Sequence, residues 1–242
     1  MLLPLLFLTI LLSIIYIISR RLLQLLYALT FVTTKNRTIA LWTIALFLLP
    51  GTIVHELSHF FTALLLRVPT GRLSIFPSIG PAPSPDAGRD EGEIRAGHLE
   101  IARTGPIRHT IIGVAPMFVG LLFIYTIGHF FFQSLLSINN YQLTIINIIG
   151  IYLLFVVSTT MFSSKADMRS FIFVAPVIIL LVTAVYLAGV RVTFTQNLQE
   201  LMIVGAKKLN FSLAQVGIID TAVFLLLQMV VKTPRPKRPG LL

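Results

Sequence analysis

Ile53-Val54-His55-Glu56-Leu57-Ser58-His59-Phe60-Phe61-Thr62-Ala63-Leu64-Leu65-Leu66 sets two imidazoles and a carboxylate into a run otherwise built of Ile, Val, Leu and Phe. Side chains four apart on a helix lie on one face, with Cβ atoms about 5 to 6 Å apart. His55 and His59 can therefore turn a ring nitrogen each toward one metal ion, with Glu56 beside it to hold a water. This is the zinc-hydrolase spacing, in which the histidines bind metal and the glutamate is a general base. An ionisable group at membrane depth costs about 2.5 to 3.5 kcal/mol on insertion scales. Three of them within five residues need a compensating partner, and a metal supplies one.

The surrounding chain is far too apolar for an ordinary soluble domain: of its 242 residues 56% are hydrophobic and 12% charged, with a mean hydropathy of +0.90. A membrane-crossing helix needs about 20 mostly apolar residues. The runs 2–18, 39–66, 110–136, 143–162, 171–190 and 216–231 meet or approach that length, the last being the shortest. The expected fold is an all-α polytopic membrane protein of about six transmembrane helices, with a small β-hairpin at the membrane surface after the His55 helix. The stretch 22–32 either extends the first helix past Arg20 and Arg21 or lies in the interface. The N-terminus has neither a charged leading region nor an A-x-A site, so it is expected to stay as a helix.

The net charge of +10 comes from basic residues spread over loops and ends, such as Lys232, Arg235, Lys237 and Arg238. That distribution fits loop topology and anionic lipid, not a nucleic-acid stripe. There is no cysteine, so disulfides and thiolate metal sites are excluded.

Residues 68–108 break the apolar pattern, with a Pro/Gly-rich centre from Pro77 to Pro85 and five of the nine acidic residues between Asp86 and Glu100. Alternating pieces at 72–76 and 98–102 predict two strands. Their edge could pair with an extended substrate, or the segment could be a solvated connector. The loop 163–170 holds Lys165, Asp167 and Arg169, whereas 137–142 is uncharged, which predicts that the first faces the cytoplasm. The six arginines from Arg67 to Arg108 then face it too, and the His55 site opens near that side. Arg20, Arg21, Lys35 and Arg37 disagree unless the first segment spans partially or at a slant.

Catalytic zinc usually takes three protein ligands and keeps a fourth position open. His98, His109, His129, Asp167 and Asp220 are the candidates for the third. Asp167 fits best, in the loop at about the depth expected for the histidines; it could equally cap the following helix, and both roles could hold together. His129 reads as a core or interfacial histidine, and Asp220 as a cap or interfacial carboxylate. Two histidines and a carboxylate suit several divalent metals.

In this order of parts, the intramembrane HExxH, the polar hairpin, Gly113-Val114-Ala115-Pro116 and then Ser163-Ser164-Lys165-Ala166-Asp167, the chain resembles the site-2 protease family of intramembrane zinc metalloproteases, in a divergent prokaryotic branch. The likeness covers about 39–190. It implies an enzyme that binds one Zn2+ through His55, His59 and Asp167, uses Glu56 as base, and cuts in or near transmembrane segments of other membrane proteins. It also implies an integral protein of a prokaryotic cell membrane, its active site toward the cytoplasm, with lipid and a membrane-protein substrate as partners. One membrane domain is expected: an N-terminal helical segment 1–38, a catalytic core 39–190 containing the hairpin 68–108, and a C-terminal helix with a basic tail, 191–242. The family's asparagines after the first proline and before the aspartate are missing here, leaving Ser158, Thr159, Ser164 and Lys165 as possible contacts to substrate or transition state. The alternative is a catalytically silent scaffold derived from such a protease.

Overall fold

The computed structural model describes residues 2–74, 78–79, 94–95, 98–101, 104–137, 145–162 and 195–231, with isolated positions between 176 and 189. The first helix, α1 (Leu2–Thr34), is one continuous run of 33 residues, so the stretch 22–32 extends it past Arg20 and Arg21. Nothing in its interior breaks a helix: it has no glycine, and its one proline, Pro4, sits in the first turn. Its hydroxyls bond back to the preceding turn, as Ser13 Oγ does to the Thr9 carbonyl at 2.8 Å and Thr30 Oγ1 to Leu26 at 2.8 Å. At 1.5 Å per residue α1 is about 50 Å long, well beyond the roughly 30 Å hydrocarbon core of a bilayer.

Asn36 starts α2 (Arg37–Phe47): its Oδ1 accepts from the Thr38 and Ile39 amides at 2.9 and 3.3 Å. After Leu48 the chain turns sharply, and α3 (Leu49–Leu65) leaves at 73° to α2. Pro50 lies in the first turn of α3, where a missing N–H breaks no helical bond. The chain thus bends at the boundary between two helices, immediately before Pro50-Gly51.

The faces of these helices sort as they would in an apolar surround. On α3 the polar residues His55, Glu56, Ser58 and His59 are 4 to 7% exposed, while Leu65 is 84% exposed. In α5 (Ile145–Thr160), Asn147 is buried between exposed Ile145, Ile146, Ile148 and Ile149. The last helix, α6 (Gln196–Val230), buries Ser212, Gln215 and Asp220 and exposes Phe211, Ile218, Leu225 and Leu226. Water would drive the opposite arrangement; hydrocarbon around the bundle accounts for this one.

Among the described residues, α1, α4 (Pro106–Ser137) and α6 contain stretches long and apolar enough to cross a membrane, and the bent pair α2–α3 makes a fourth candidate. Helix α5, at 16 residues, is shorter. The run 171–190 lies largely outside the described residues. The last helix was expected to be the shortest, over 216–231; it is the longest described, at 35 residues. Its earlier half carries Gln196, Gln199, Glu200, Lys207 and Lys208, which hid its helicity from a count of apolar runs.

Between α3 and α4, β1 (Thr70–Ser74) pairs antiparallel with β4 (His98–Ile101), Ser74 opposite His98 and Leu73 opposite Leu99. Nested beyond them, β2 (Ser78–Ile79) pairs with β3 (Ile94–Arg95). Residues 80–93 lie outside the described set. Val68 N–H bonds the Ala63 carbonyl at 2.8 Å and Arg67 takes a φ of 54°, which together end α3 and send the chain into β1.

Two relations position the site. Contacts advance together along α3 and α5: the Tyr152 hydroxyl donates to the Phe47 carbonyl at 2.6 Å, just before α3, and Gly51 meets Val156 and Thr160 one turn later. These helices therefore run in the same direction. Helix α1 runs the other way, with Tyr16 against Phe162 (ring centroids 5.5 Å apart) and Ser19 Oγ donating to the Ser158 carbonyl at 3.3 Å. Lys35 thus lies at the end of the bundle opposite Phe162, and α1 is a full, unbroken helix, not the partial segment that would have reconciled its charges with the loops.

Candidate metal centre

Intervals of four, three, one and four residues put Gly51, His55, Ser58, His59 and Ala63 on one face of α3, and all five are buried. Gly51 belongs to the set because α5 passes so close. A Cβ there would meet Val156 O at 2.6 Å, Val156 Cγ1 at 2.7 Å and Thr160 Oγ1 more tightly still. Glycine lets the two helices touch and holds the imidazole face inside the protein.

The Nε2 atoms of His55 and His59 stand 3.2 Å apart, with ring centroids at 4.8 Å and planes at 85°. His59 Nδ1 lies 2.8 Å from the Ile112 carbonyl oxygen on α4. A carbonyl only accepts, so Nδ1 carries the proton and a neutral His59 keeps a lone pair on Nε2. Metal-binding histidines are oriented in this way, by a bond from the second ring nitrogen to a carbonyl or carboxylate. Ser58 Oγ donates to the His55 carbonyl at 2.6 Å.

The spacing suits a tetrahedral ion. Two nitrogens each about 2.0 to 2.1 Å from one zinc at tetrahedral angles stand about 3.3 Å from each other, close to the 3.2 Å found. Among the described residues no third His, Cys, Asp or Glu joins them. Asp167, the ligand expected from sequence, lies outside the described residues, as do Ser164 and Lys165.

The competing candidates are held elsewhere. His129 is seventeen residues along α4 from Ile112, about 25 Å at helical rise, and stacks on Tyr125 at 6.2 Å. His109 is exposed in the first turn of α4, and the side chain of His98 lies outside the described set. Asp220 is fully buried 3.1 Å from Ser158 Oγ. Ser158 is two residues from both Val156 and Thr160, hence roughly 200° around α5 from each, and so faces away from α3 toward α1 and α6.

Ser158 and Thr159, expected as contacts to substrate, are both fully buried. The Ser158 hydroxyl lies 2.8 Å from the Phe155 carbonyl and 3.1 Å from Asp220 Oδ1. Thr159 Oγ1 donates to Phe155 O at 2.8 Å. These contacts tie α5 to itself and to α6, and none of them reaches the histidines. The participant that sequence reasoning passed over is the Ile112 carbonyl, a backbone group under an aliphatic side chain that no search by residue type would select.

No protein-family model, curated protein or solved structure matches the chain.

Proposed function

We propose that this chain is an intramembrane zinc metalloprotease that hydrolyses peptide bonds in or near transmembrane segments of other membrane proteins. The observation that carries it is the imidazole pair: two facing Nε2 atoms 3.2 Å apart, one fixed through Nδ1 to a backbone carbonyl, buried in a helix whose outer face is apolar. His55 and His59 hold the metal with Asp167 as third ligand. Asp167 follows the end of α5, the helix that runs parallel to α3, by seven residues in the sequence.

When bound, zinc supplies the Lewis acidity that lets a water give up its proton near neutral pH. Glu56, buried one residue from His55, takes that proton and delivers it to the leaving amine. A substrate helix hides its carbonyls in its own hydrogen bonds and must unwind first; the ribbon of β1 and β4 next to the end of α3 offers an edge for the released strand. The arginines from Arg67 to Arg108, with Lys165 and Arg169, point this end of the bundle toward the cytoplasm.

The test is zinc content of the detergent-purified protein beside Asp167→Ala, His59→Ala and Glu56→Gln, with cleavage of a co-expressed panel of single-span reporters. About one zinc per chain, lost in the first two variants and retained in Glu56→Gln, with cleavage abolished in all three, is the expected result. A wild-type protein without zinc, or a Glu56→Gln protein that still cuts, overturns the assignment.

A further inference from the structure

Helix α4 contains a proline in its interior, Pro116. An α-helix bonds each N–H to the carbonyl four residues earlier, so the carbonyl deprived by Pro116 is that of Ile112. Proline has no N–H, and its ring also crowds that carbonyl out of the helical ladder. Ile112 is 1% exposed, which leaves little water to satisfy the stranded oxygen; its partner is instead His59 Nδ1, at 2.8 Å.

We infer that Pro116 is a positioning residue for His59: by withholding the N–H that would bond the Ile112 carbonyl, it reserves that oxygen for the imidazole. The contact meets two needs at once. The carbonyl gains a donor from a neighbouring helix, and the imidazole is held in the tautomer whose Nε2 faces His55. In an unbroken helix the same oxygen would already accept the residue 116 amide in line with the axis, and His59 could share it only through a weaker, three-centred contact. The consequence for metal rests on the protease reading; the contact and the tautomer do not.

The experiment follows the imidazole nitrogens directly. The full-length protein, labelled with 15N-histidine and stripped of metal in detergent, gives nitrogen shifts that separate protonated from bare ring nitrogens, His59 being identified among the five histidines by its loss in His59→Ala. Wild type should show His59 protonated at Nδ1 and bare at Nε2. Pro116→Ala returns an N–H to the helix; it should mix the two His59 tautomers and raise the zinc dissociation constant about 10- to 100-fold, the usual effect of losing such a supporting bond. A second variant separates the N–H from the ring: lactic acid at position 116, introduced by nonsense suppression, has neither, and should keep the wild-type tautomer and affinity. Pro116→Ala with an unchanged His59 tautomer overturns the inference, and so does a lactate variant that behaves like Pro116→Ala, because the ring would then be what matters. If the tautomer moves as expected while wild type binds no zinc, the positioning role stands and the protease reading is what fails.

Discussion

Replacing Gly51 with alanine pits two opposed effects against each other, and the structure says which wins. Alanine is the better helix former by about 0.5 to 1 kcal/mol. Against this, its methyl would stand 2.6 Å from the Val156 carbonyl oxygen and 2.7 Å from Val156 Cγ1, where ordinary contact needs about 3.5 Å or more. The oxygen is backbone and cannot rotate away, so α3 and α5 must separate by roughly 0.5 to 1 Å. Overpacking of this kind costs about 1 to 3 kcal/mol, leaving a net loss of about 1 to 2. A chain of this size loses about 2 to 4 °C per kcal/mol, so the midpoint of thermal unfolding in detergent should fall by roughly 2 to 8 °C. Gly217→Ala supplies the matched control: nothing lies within 4 Å of its added methyl, and the same substitution there should hold or raise the midpoint. Adding Thr160→Ala to Gly51→Ala should recover only part of the loss, since Val156 O remains. Equal midpoints for Gly51→Ala and Gly217→Ala would refute the close approach of α3 and α5.

Ser158→Ala should lower stability by about 1 to 3 kcal/mol, because it leaves the buried Asp220 carboxyl without the hydroxyl at 3.1 Å; the double variant Ser158→Ala/Asp220→Leu should recover most of that in the same unfolding assay, and a neutral Ser158→Ala would show that the pair contributes nothing. Since the chain has no cysteine, single cysteines at exposed Lys35 and Arg67 make clean reporters. A membrane-impermeant maleimide added to intact cells should label Lys35→Cys and reach Arg67→Cys only after permeabilisation, whereas labelling of both from one side would contradict the opposed directions of α1 and α3. Removing metal with a chelator should abolish cleavage by the wild-type protein and added zinc should restore it, read on the same reporter panel; activity that survives chelation with bound zinc measured at zero would exclude the proposed chemistry.

Much of this was legible along the chain because it depends on local spacing. A separation of four positions puts the His55 and His59 rings on one face of any helix, and the apolar runs around them announce lipid-facing helices whatever the packing. The alternation at 72–76 and 98–102 marked strands where β1 and β4 pair, with boundaries shifted by one or two residues. The long C-terminal helix was not legible in the same way: its polar first half looks like a loop to a hydropathy count, and only its continuous backbone ladder shows it to be helix.

By itself, then, the sequence determined the apolar character of the helices and the donor set on α3, since hydropathy and helical period act over a few residues. Tertiary structure decided which partner each donor meets. Asp220 and Ser158 are 62 residues apart in sequence and meet across two helices, which removes both from the histidine face. The Ile112 carbonyl meets His59 across 53 residues, and only the docking of α4 against α3 could reveal it. Pro116 was visible as a motif and its freed carbonyl could have been counted; what the carbonyl was freed for is a property of two helices packed together.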